Sequence, residues 1–381
     1  MTAALVDRVR SRLLLTGGDA TPGRVASALR DEGLIMGDGA VLDLVRQLRQ
    51  ELVGLGVLEP LLGDPETTDV LVNGPDSVWV DRGHGLERTD VAFTSESEVR
   101  RLAQRLAAAA GRRLDDAAPH VDARLPGGVR LHALLSPVAV DGTLISLRVP
   151  SRQSFSLDDL VRRGSMDEAT AELLRRVVVG RLAFLVSGGT GSGKTTVLST
   201  LLGLVPPRER IAIVEDSTEL APNHPHVVRM QSRVANVEGS GAVTGRELIR
   251  QALRMRPDRL IVGEVRGAEV VDLLAAMNTG HEGGAGTVHA NSPSDVPPRL
   301  EALGLMAGLD RMAVHALVAA GVDAVIHVRR EHDGVRRIDS IHALDRGDDG
   351  IVRTVPAWVW TGHEHVEAAG MARLVARLST A

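Results

Sequence analysis

Residues 188–195 read Gly-Gly-Thr-Gly-Ser-Gly-Lys-Thr and fit the pattern G-x-x-x-x-G-K-[ST]. Glycines at this spacing let the main chain curl so that several N–H groups converge on one point. A helix that starts directly behind them adds its positive end. The chemistry this suits is the grip on a nucleoside triphosphate. Gly188, Gly189, Thr190, Gly191, Ser192 and Gly193 would cradle phosphate oxygens, and Thr196 completes the binding set. Lys194 would contact the β- and γ-phosphates, and the Thr195 hydroxyl would ligate Mg²⁺. Lys194 is also the only lysine in 381 residues, since Lys and Arg together number 44 and the rest are arginine. A chance match around one lysine has a probability of roughly 0.001 at this glycine content.

A phosphate cradle alone hydrolyses nothing, and further candidates follow it. The run IAIVEDSTEL puts Glu215 and Asp216 at the end of an apolar segment, and RLIVGEVRG does the same for Glu264. Carboxylates at strand ends can hold Mg²⁺ through water and polarise an attacking water, although each alone could equally cap a helix. In NTGHEGGAGTVHAN, His281 and His289 flank a Gly-rich stretch. Neither shows metal-ligand spacing. His289 can donate to a γ-phosphate or to the strand ends that sense it, and a purely structural histidine is the plain alternative. Arg130 and Arg148 stand on candidate strands nearer the N-terminus. A cation from another domain or subunit would stabilise charge on a transferring phosphate, but by residue type alone both read as surface charge.

The elements that must position these residues are legible from periodicity. Residues 1–58 read as an N-terminal helical segment, with Val41, Leu44, Val45, Leu48 and Leu52 at helical spacing. From Thr68 short β-like runs follow (TDVLVNG, SVWVDRG, GLERTDVAF). A helix then opens on a capping box at Ser95–Glu98, carries Val99, Leu102 and Leu106 on one face, and stops at Gly111. VDARLPGGVRLHALL and TLISLRV add strands, so 59–150 is expected to be a small α/β domain. Residues 151–164 (starting PSRQSFS from Pro150) read as a linker. From 165 to 381, apolar runs (LAFLVSG, IAIVED, RLIVGE, AGTVHA, DAVIHV) alternate with helical segments, which predicts a mostly parallel sheet covered by helices.

Composition bounds the function classes. There is no cysteine, so neither a disulfide framework nor a Cys-based zinc site is available. Net charge is −5, which offers no global basic field for nucleic acid or an anionic bilayer. No run of about 18 apolar residues occurs, and the first residues, with Asp7, Arg8, Arg10 and Arg12, do not read as a secretory signal. A cytoplasmic protein is expected. The near-total replacement of lysine by arginine reads as a bias of nucleotide composition, and its single exception is the lysine of the phosphate loop.

Taken together, LGVLEPLLGDPETTDVLVNGPDSVWVDRG, SGGTGSGKTT, IVEDSTEL, MRPDRLIVGEVRGAE and NTGHEGGAGTVHANS resemble the secretion-ATPase superfamily, the GspE-like and type IV secretion motors. Within it the likeness is to the CpaF/TadA type of tight-adherence (Flp) pilus systems. The resemblance implies a C-terminal RecA-like P-loop NTPase domain over 165–381, with a smaller N-terminal α/β domain. It implies that SGGTGSGKTT is the Walker A loop and that Glu215 and Asp216 form an acidic box. Glu264 takes the Walker B position and is the first choice for water activation, His289 takes the His box, and Arg130 and Arg148 face nucleotide from the N-terminal domain. ATP and Mg²⁺ as cofactors, with Thr195, Glu215 and Glu264 around the metal, partly through water, are implied likewise. So are a homo-oligomer, in the form of a hexameric ring, and inner-membrane platform proteins as partners, with peripheral association at the inner face of the cytoplasmic membrane. The four-cysteine element of many type II motors is absent here.

The reading is therefore an ATP-hydrolysing cytoplasmic motor that drives a membrane-embedded pilus or secretion platform. A hexameric DNA-translocating or conjugation-associated ATPase is the alternative. Translocation of single strands favours basic grooves and aromatic platforms, whereas this chain has no Tyr, three Phe and three Trp, so no specific nucleic acid is expected. A non-hydrolysing scaffold is disfavoured by the presence of Glu215, Glu264 and His289.

Overall fold

The structure is a computed structural model, and it describes residues 26–27, 29–30, 55–83, 85–125, 127–150, 154–233, 235, 239–331 and 334–380. The helical pattern read over 1–58 lies almost entirely outside the described residues. The chain divides into two compact units, Met1–Ser151 and Arg152–Ala381.

In the first unit a short helix α1 (Glu59–Gly63) precedes β1 (Asp69–Val72), β2 (Val78–Asp81) and β3 (Leu86–Arg88). Helix α2 (Glu96–Ala109) follows, then β4 (His120–Arg124), β5 (Arg130–Leu134) and β6 (Leu144–Arg148). The six strands form one antiparallel sheet in the order β3-β2-β1-β6-β5-β4. Alternation builds its core: Val70, Val72, Leu131, Ala133, Ile145 and Leu147 face inward and pack with Val99, Leu102 and Leu106 of α2. Each such Val, Leu or Ile side chain contributes about 1.5–3 kcal/mol by leaving water. The capping expected at Ser95 is displaced by one residue. Ser95 makes no cap bond; Glu98 instead accepts from both the Thr94 amide and hydroxyl at 2.7 Å.

The second unit opens with α3 (Leu157–Arg162), inside the stretch 151–164 expected to be a linker. The reason is local. Ser156 and Asp159 close a capping box, and Leu157 and Leu160 are drawn into the unit's core. Then come α4 (Glu168–Val179), β7 (Phe184–Gly188), α5 (Lys194–Leu202), β8 (Ile211–Glu215), β9 (Val227–Gln231), α6 (Gly245–Leu253), β10 (Arg259–Val262), α7 (Glu269–Met277) and β11 (Ala285–His289). The chain ends with α8 (Val296–Met306), α9 (Arg311–Gly321), β12 (Ala324–Arg330), β13 (Arg336–Arg346), β14 (Val352–Trp360), β15 (His365–Glu367) and α10 (Met371–Thr380).

The sheet order is β15-β14-β13-β12-β7-β11-β10-β8-β9. The six strands from β12 to β9 run parallel, and β13 to β15 extend the sheet antiparallel. Helices cover both faces of the parallel part, so its inner strands β7, β8, β10 and β11 are buried on both sides. Phe184 and Val186 join one core with α4, α5 and α10, while Leu185 joins another with α6, α7, α8 and α9. Strand β7 pairs with β11 and β12 and not with β8, the next strand in the chain. The connections from β7 and β11 leave in opposite directions, the arrangement at which such sheets place a ligand crevice, beyond the C-terminal ends of the strands. The phosphate loop occupies that point. Among the described residues no helix is long and apolar enough to cross a membrane.

Candidate functional site

The loop from Gly188 to Gly193 joins the end of β7 to the first turn of α5. Gly191 and Gly193 sit at φ +70° and +98°, a region that side-chain-bearing residues avoid. Gly188 is required by space instead: a Cβ there would lie 2.3 Å from the Val328 carbonyl oxygen and 2.6 Å from the Ser192 Oγ. Ser192 is 2% exposed and its hydroxyl donates to the Gly189 carbonyl at 2.9 Å. Helix α5 carries no acidic residue in its own first turn to compete for its positive end.

Lys194 folds back over the loop. Its Nζ donates to the carbonyls of Gly188 (3.0 Å) and Gly189 (2.7 Å). Burial lowers its pKa, and the charge of Glu264 opposes that shift, which places the carboxylate within electrostatic reach of the ammonium. Thr195 and Thr196 follow in the first turn, both half-buried.

Strand register assembles the rest. His289, the last residue of β11, pairs with Gly188, the first residue of the loop. Val214 pairs with Val262, so Glu215 at the end of β8 adjoins the turn after β10. The Gly263 amide donates to the Val214 carbonyl at 2.8 Å. Thr287 of β11 holds the same turn from the other side through its hydroxyl, 2.6 Å from the Gly263 carbonyl. Glu215 is 5% exposed. Its Oε1 accepts from the amides of Glu219 (2.9 Å) and Leu220 (3.0 Å). Burial nonetheless pushes its pKa up. Its Oε2 is buried without a hydrogen-bond partner among the described residues, the situation of an acceptor that a hydrated cation would satisfy. Glu264, two residues past β10, is paired with Arg266. Asp216 is exposed and accepts from the Ser232 hydroxyl at 2.8 Å.

Lys194, Glu215, Glu264 and His289 thus gather at one edge of the sheet. His281 does not: it precedes β11 and lies beyond the opposite end of that strand from His289. Arg130 and Arg148 belong to the first unit, where the register of β5 and β6 makes them direct cross-strand partners. Such a like-charge pair is unfavourable unless compensated. Arg130 is held by Asp122 at 2.7 Å and Arg148 by Asp69 at 3.1 Å.

Two contributions escaped the reading of the sequence. Ser187, just before the loop, shares a 2.9 Å hydrogen bond with Nδ1 of His327 on β12, and burial lowers the pKa of that histidine. Arg336, at the start of β13, donates from Nε to the Gly191 carbonyl at 3.0 Å. Their partners lie 140 and 145 residues away in the chain. No local motif announces them.

A family model described as "Type II/IV secretion system protein" matches residues 51–341. The chain belongs to this family. It is similar to a putative conjugal transfer protein of Mycobacterium tuberculosis, 59% identical over 330 residues that cover 85% of this chain and 94% of that protein. It is also similar to the type IV secretion system protein PtlH of Bordetella pertussis, 33% identical over 318 residues, 74% of this chain and 91% of that one. Among solved structures, the pilus retraction motor PilT with bound ADP shares the fold, with a TM-score of 0.53 at 18% identity over 86% of each chain. The chain is an ATPase of the secretion type, with a RecA-like P-loop core, as the sequence led us to expect.

Proposed function

We propose that this secretion ATPase hydrolyses ATP at the crevice beyond β7 and converts it into motion of its two units. The observation that carries the reading is the gathering of Lys194, Glu215, Glu264 and His289 at the C-terminal ends of β7, β8, β10 and β11. Amides of residues 189–194 and the start of α5 bind the phosphates. Lys194 exchanges the carbonyls of Gly188 and Gly189 for β- and γ-phosphate oxygens, which favour the ammonium far more than neutral carbonyls do. Glu264 leaves Arg266, accepts the proton of the attacking water and orients it on the γ-phosphorus as the bond to ADP breaks. His289, beside Gly188, donates to the phosphate that is released. Mg²⁺ suits the oxygen donors present, the Thr195 hydroxyl and the orphaned Glu215 carboxylate oxygen directly or through water, and when bound it neutralises charge on the β- and γ-phosphates. Arg130 and Arg148 present a paired cationic site that an incoming polyphosphate can claim from Asp122 and Asp69.

The functional regions would then be a helical segment over 1–58, an α/β domain over 59–150 and the ATPase domain that follows. The working form is a homohexamer at the inner face of the cytoplasmic membrane, held there by platform proteins of a pilus or secretion system of the tight-adherence type. A conjugal role is the second reading, favoured by the name of the Mycobacterium tuberculosis relative. ATP turnover measured with and without single-stranded oligonucleotide separates the two. The pilus or secretion reading expects no stimulation, and a several-fold rise with DNA would replace it by the conjugal one. Sedimentation with ATP tests the ring.

A further inference from the structure

The parallel strands of the second unit begin at the edge of the sheet opposite the phosphate loop. Three turns meet there: α4 to β7 (180–183), α5 to β8 (203–210) and α6 to β10 (254–258). Side chains lace them together. Arg259, 1% exposed, donates to Glu209 at 2.6 Å and to the Val178 carbonyl at 3.0 Å. Arg181 pairs with Glu209 at 3.1 Å and donates to the Asp258 carbonyl at 3.1 Å. The Asp258 carboxylate accepts the Arg210 amide at 2.7 Å. The Glu209 and Asp258 carboxylates are thereby spent within the fold. Glu282, also on this edge, lies 3.8 Å from Arg181.

A set of arginines is left over. Arg176, Arg208, Arg254 and Arg256 are exposed, and neither they nor Arg210 have a carboxylate, carbonyl or ring among the described residues to hold the guanidinium. The Nε of Arg210 is buried with no acceptor, a costly state for a donor. A bias of composition explains arginine in place of lysine, but not the missing acceptors. Elsewhere in this unit, among the described residues, Arg299 alone lacks both such a partner and an opposing charge. Arg176 and Arg254 stand at helix C-termini, where the dipole favours a cation. Arg208 and Arg256 have no such reason. Arg256 also sits at φ +54°, uncommon for a residue with a side chain and shared, among the described residues, only by Arg181 on the same edge. Arg181 reaches Glu209 and Asp258 from that conformation; Arg256 holds nothing.

Val179 and Met255, 56% and 37% exposed, stand on the same turns. Arginine beside exposed methionine and aliphatic side chains is the makeup of a protein interface. Nucleic acid fits less well, because Phe184, the aromatic residue that opens β7 here, is 2% exposed and offers no platform for a base. We propose that this edge docks an acidic segment of a partner protein. Its Asp and Glu side chains pair with Arg208, Arg210, Arg254 and Arg256, whose planar forks match carboxylates two bonds at a time, and its aliphatic ones cover Val179 and Met255. Docking and nucleotide binding then use opposite ends of the same strands. The proposal stands whichever of the secretion and conjugal readings holds.

The test uses the full chain with ADP present, its Arg208→Glu and Arg256→Glu variants, and Arg299→Glu on α8 as a control of equal charge change. The probe is a short fluorescein-labelled peptide rich in Asp, Glu and Leu, followed by anisotropy. We expect the wild type to bind it and to lose affinity as salt rises. Arg208→Glu and Arg256→Glu should each weaken binding by about tenfold, because a like charge then faces the peptide, while Arg299→Glu should leave it unchanged. ATP turnover and thermal midpoints should match wild type in all three. The two edge variants lie on separate turns, so one decides the matter if the other fails to fold. No binding by wild type, equal losses in Arg299→Glu, or wild-type affinity in a folded edge variant would overturn the proposal. So would a single-stranded oligonucleotide or phosphatidylglycerol vesicles that bind more tightly than the peptide and depend in the same way on Arg208 and Arg256.

Discussion

Glu215 rests directly on Gly263: a Cβ built on that glycine would sit 2.5 Å from the Glu215 Cγ and 3.0 Å from its Oε1. The glycine before Glu264 thus makes room for the acidic residue of the neighbouring strand. Gly263→Ala should displace Glu215 from its two amide donors. The expected result is a fall in kcat of about tenfold or more, with overpacking costing about 1–3 kcal/mol of stability. Kinetics and urea unfolding on one preparation check it; unchanged kcat would mean that the position of Glu215 is not critical.

The roles proposed for the two carboxylates are separable by substitution. Glu264→Gln should keep nucleotide affinity and lower kcat by at least about a hundredfold, as removal of a general base does. Glu215→Gln should raise the Mg²⁺ concentration needed for half-maximal turnover, because a neutral amide is the poorer partner for a hydrated cation. Nucleotide titrations and Mg²⁺ titrations of both variants decide the matter. Loss of ATP binding in Glu264→Gln would make that residue structural.

What the sequence disclosed and what it hid follow one physical line. Gly188–Thr195, Glu215, Glu264 and His289 were legible because each lies in a short run whose period marks a strand end. In a parallel sheet those ends share one edge. Arg336 was hidden for two reasons: one arginine among many carries no signal, and its contact with Gly191 spans 145 residues. The bond between Ser187 and His327 spans 140 and was equally invisible. Strands β13 to β15 went unread, because charged and half-buried residues such as Arg337, Asp339 and His342 interrupt their apolar pattern. Helix α3 went unread as well: its six residues, opened by the Ser156–Asp159 box, are too few to stand out from a polar stretch.

His365 is buried, with Nδ1 2.9 Å from an Asp167 carboxylate oxygen and Nε2 2.8 Å from the Ile338 carbonyl. Burial alone would raise the Asp167 pKa, but hydrogen bonds from Thr170 and His365 outweigh it and hold it down to about 2. A carboxylate depressed in the fold stabilises fully above its unfolded value of 3.8, and loses that contribution as pH falls through about 2. Asp167 is 35% exposed, so the contribution is discounted to about 1 kcal/mol. Asp167→Asn keeps the helix cap and removes the charge. It should unfold at lower urea than wild type at pH 6, with the gap closing towards pH 2. Trp358 and Trp360 flank His365 and report the event by fluorescence. A gap that does not change with pH would assign the effect to packing.

Lys194 provides the sharpest test of the phosphate loop. Its ammonium reaches two carbonyls within 3.0 Å, and the residue is half-buried, in a space bounded by the main chain of Gly188 and Gly189. A guanidinium is planar and wider and cannot turn its donors into that space. Lys194→Arg should therefore lose hydrolysis by at least about a hundredfold, close to Lys194→Ala, even though arginine serves at every other basic position outside histidine. Steady-state turnover with saturating ATP measures it. Near-normal hydrolysis by Lys194→Arg would show that the loop needs only a positive charge, and the lone lysine would then have no chemical explanation.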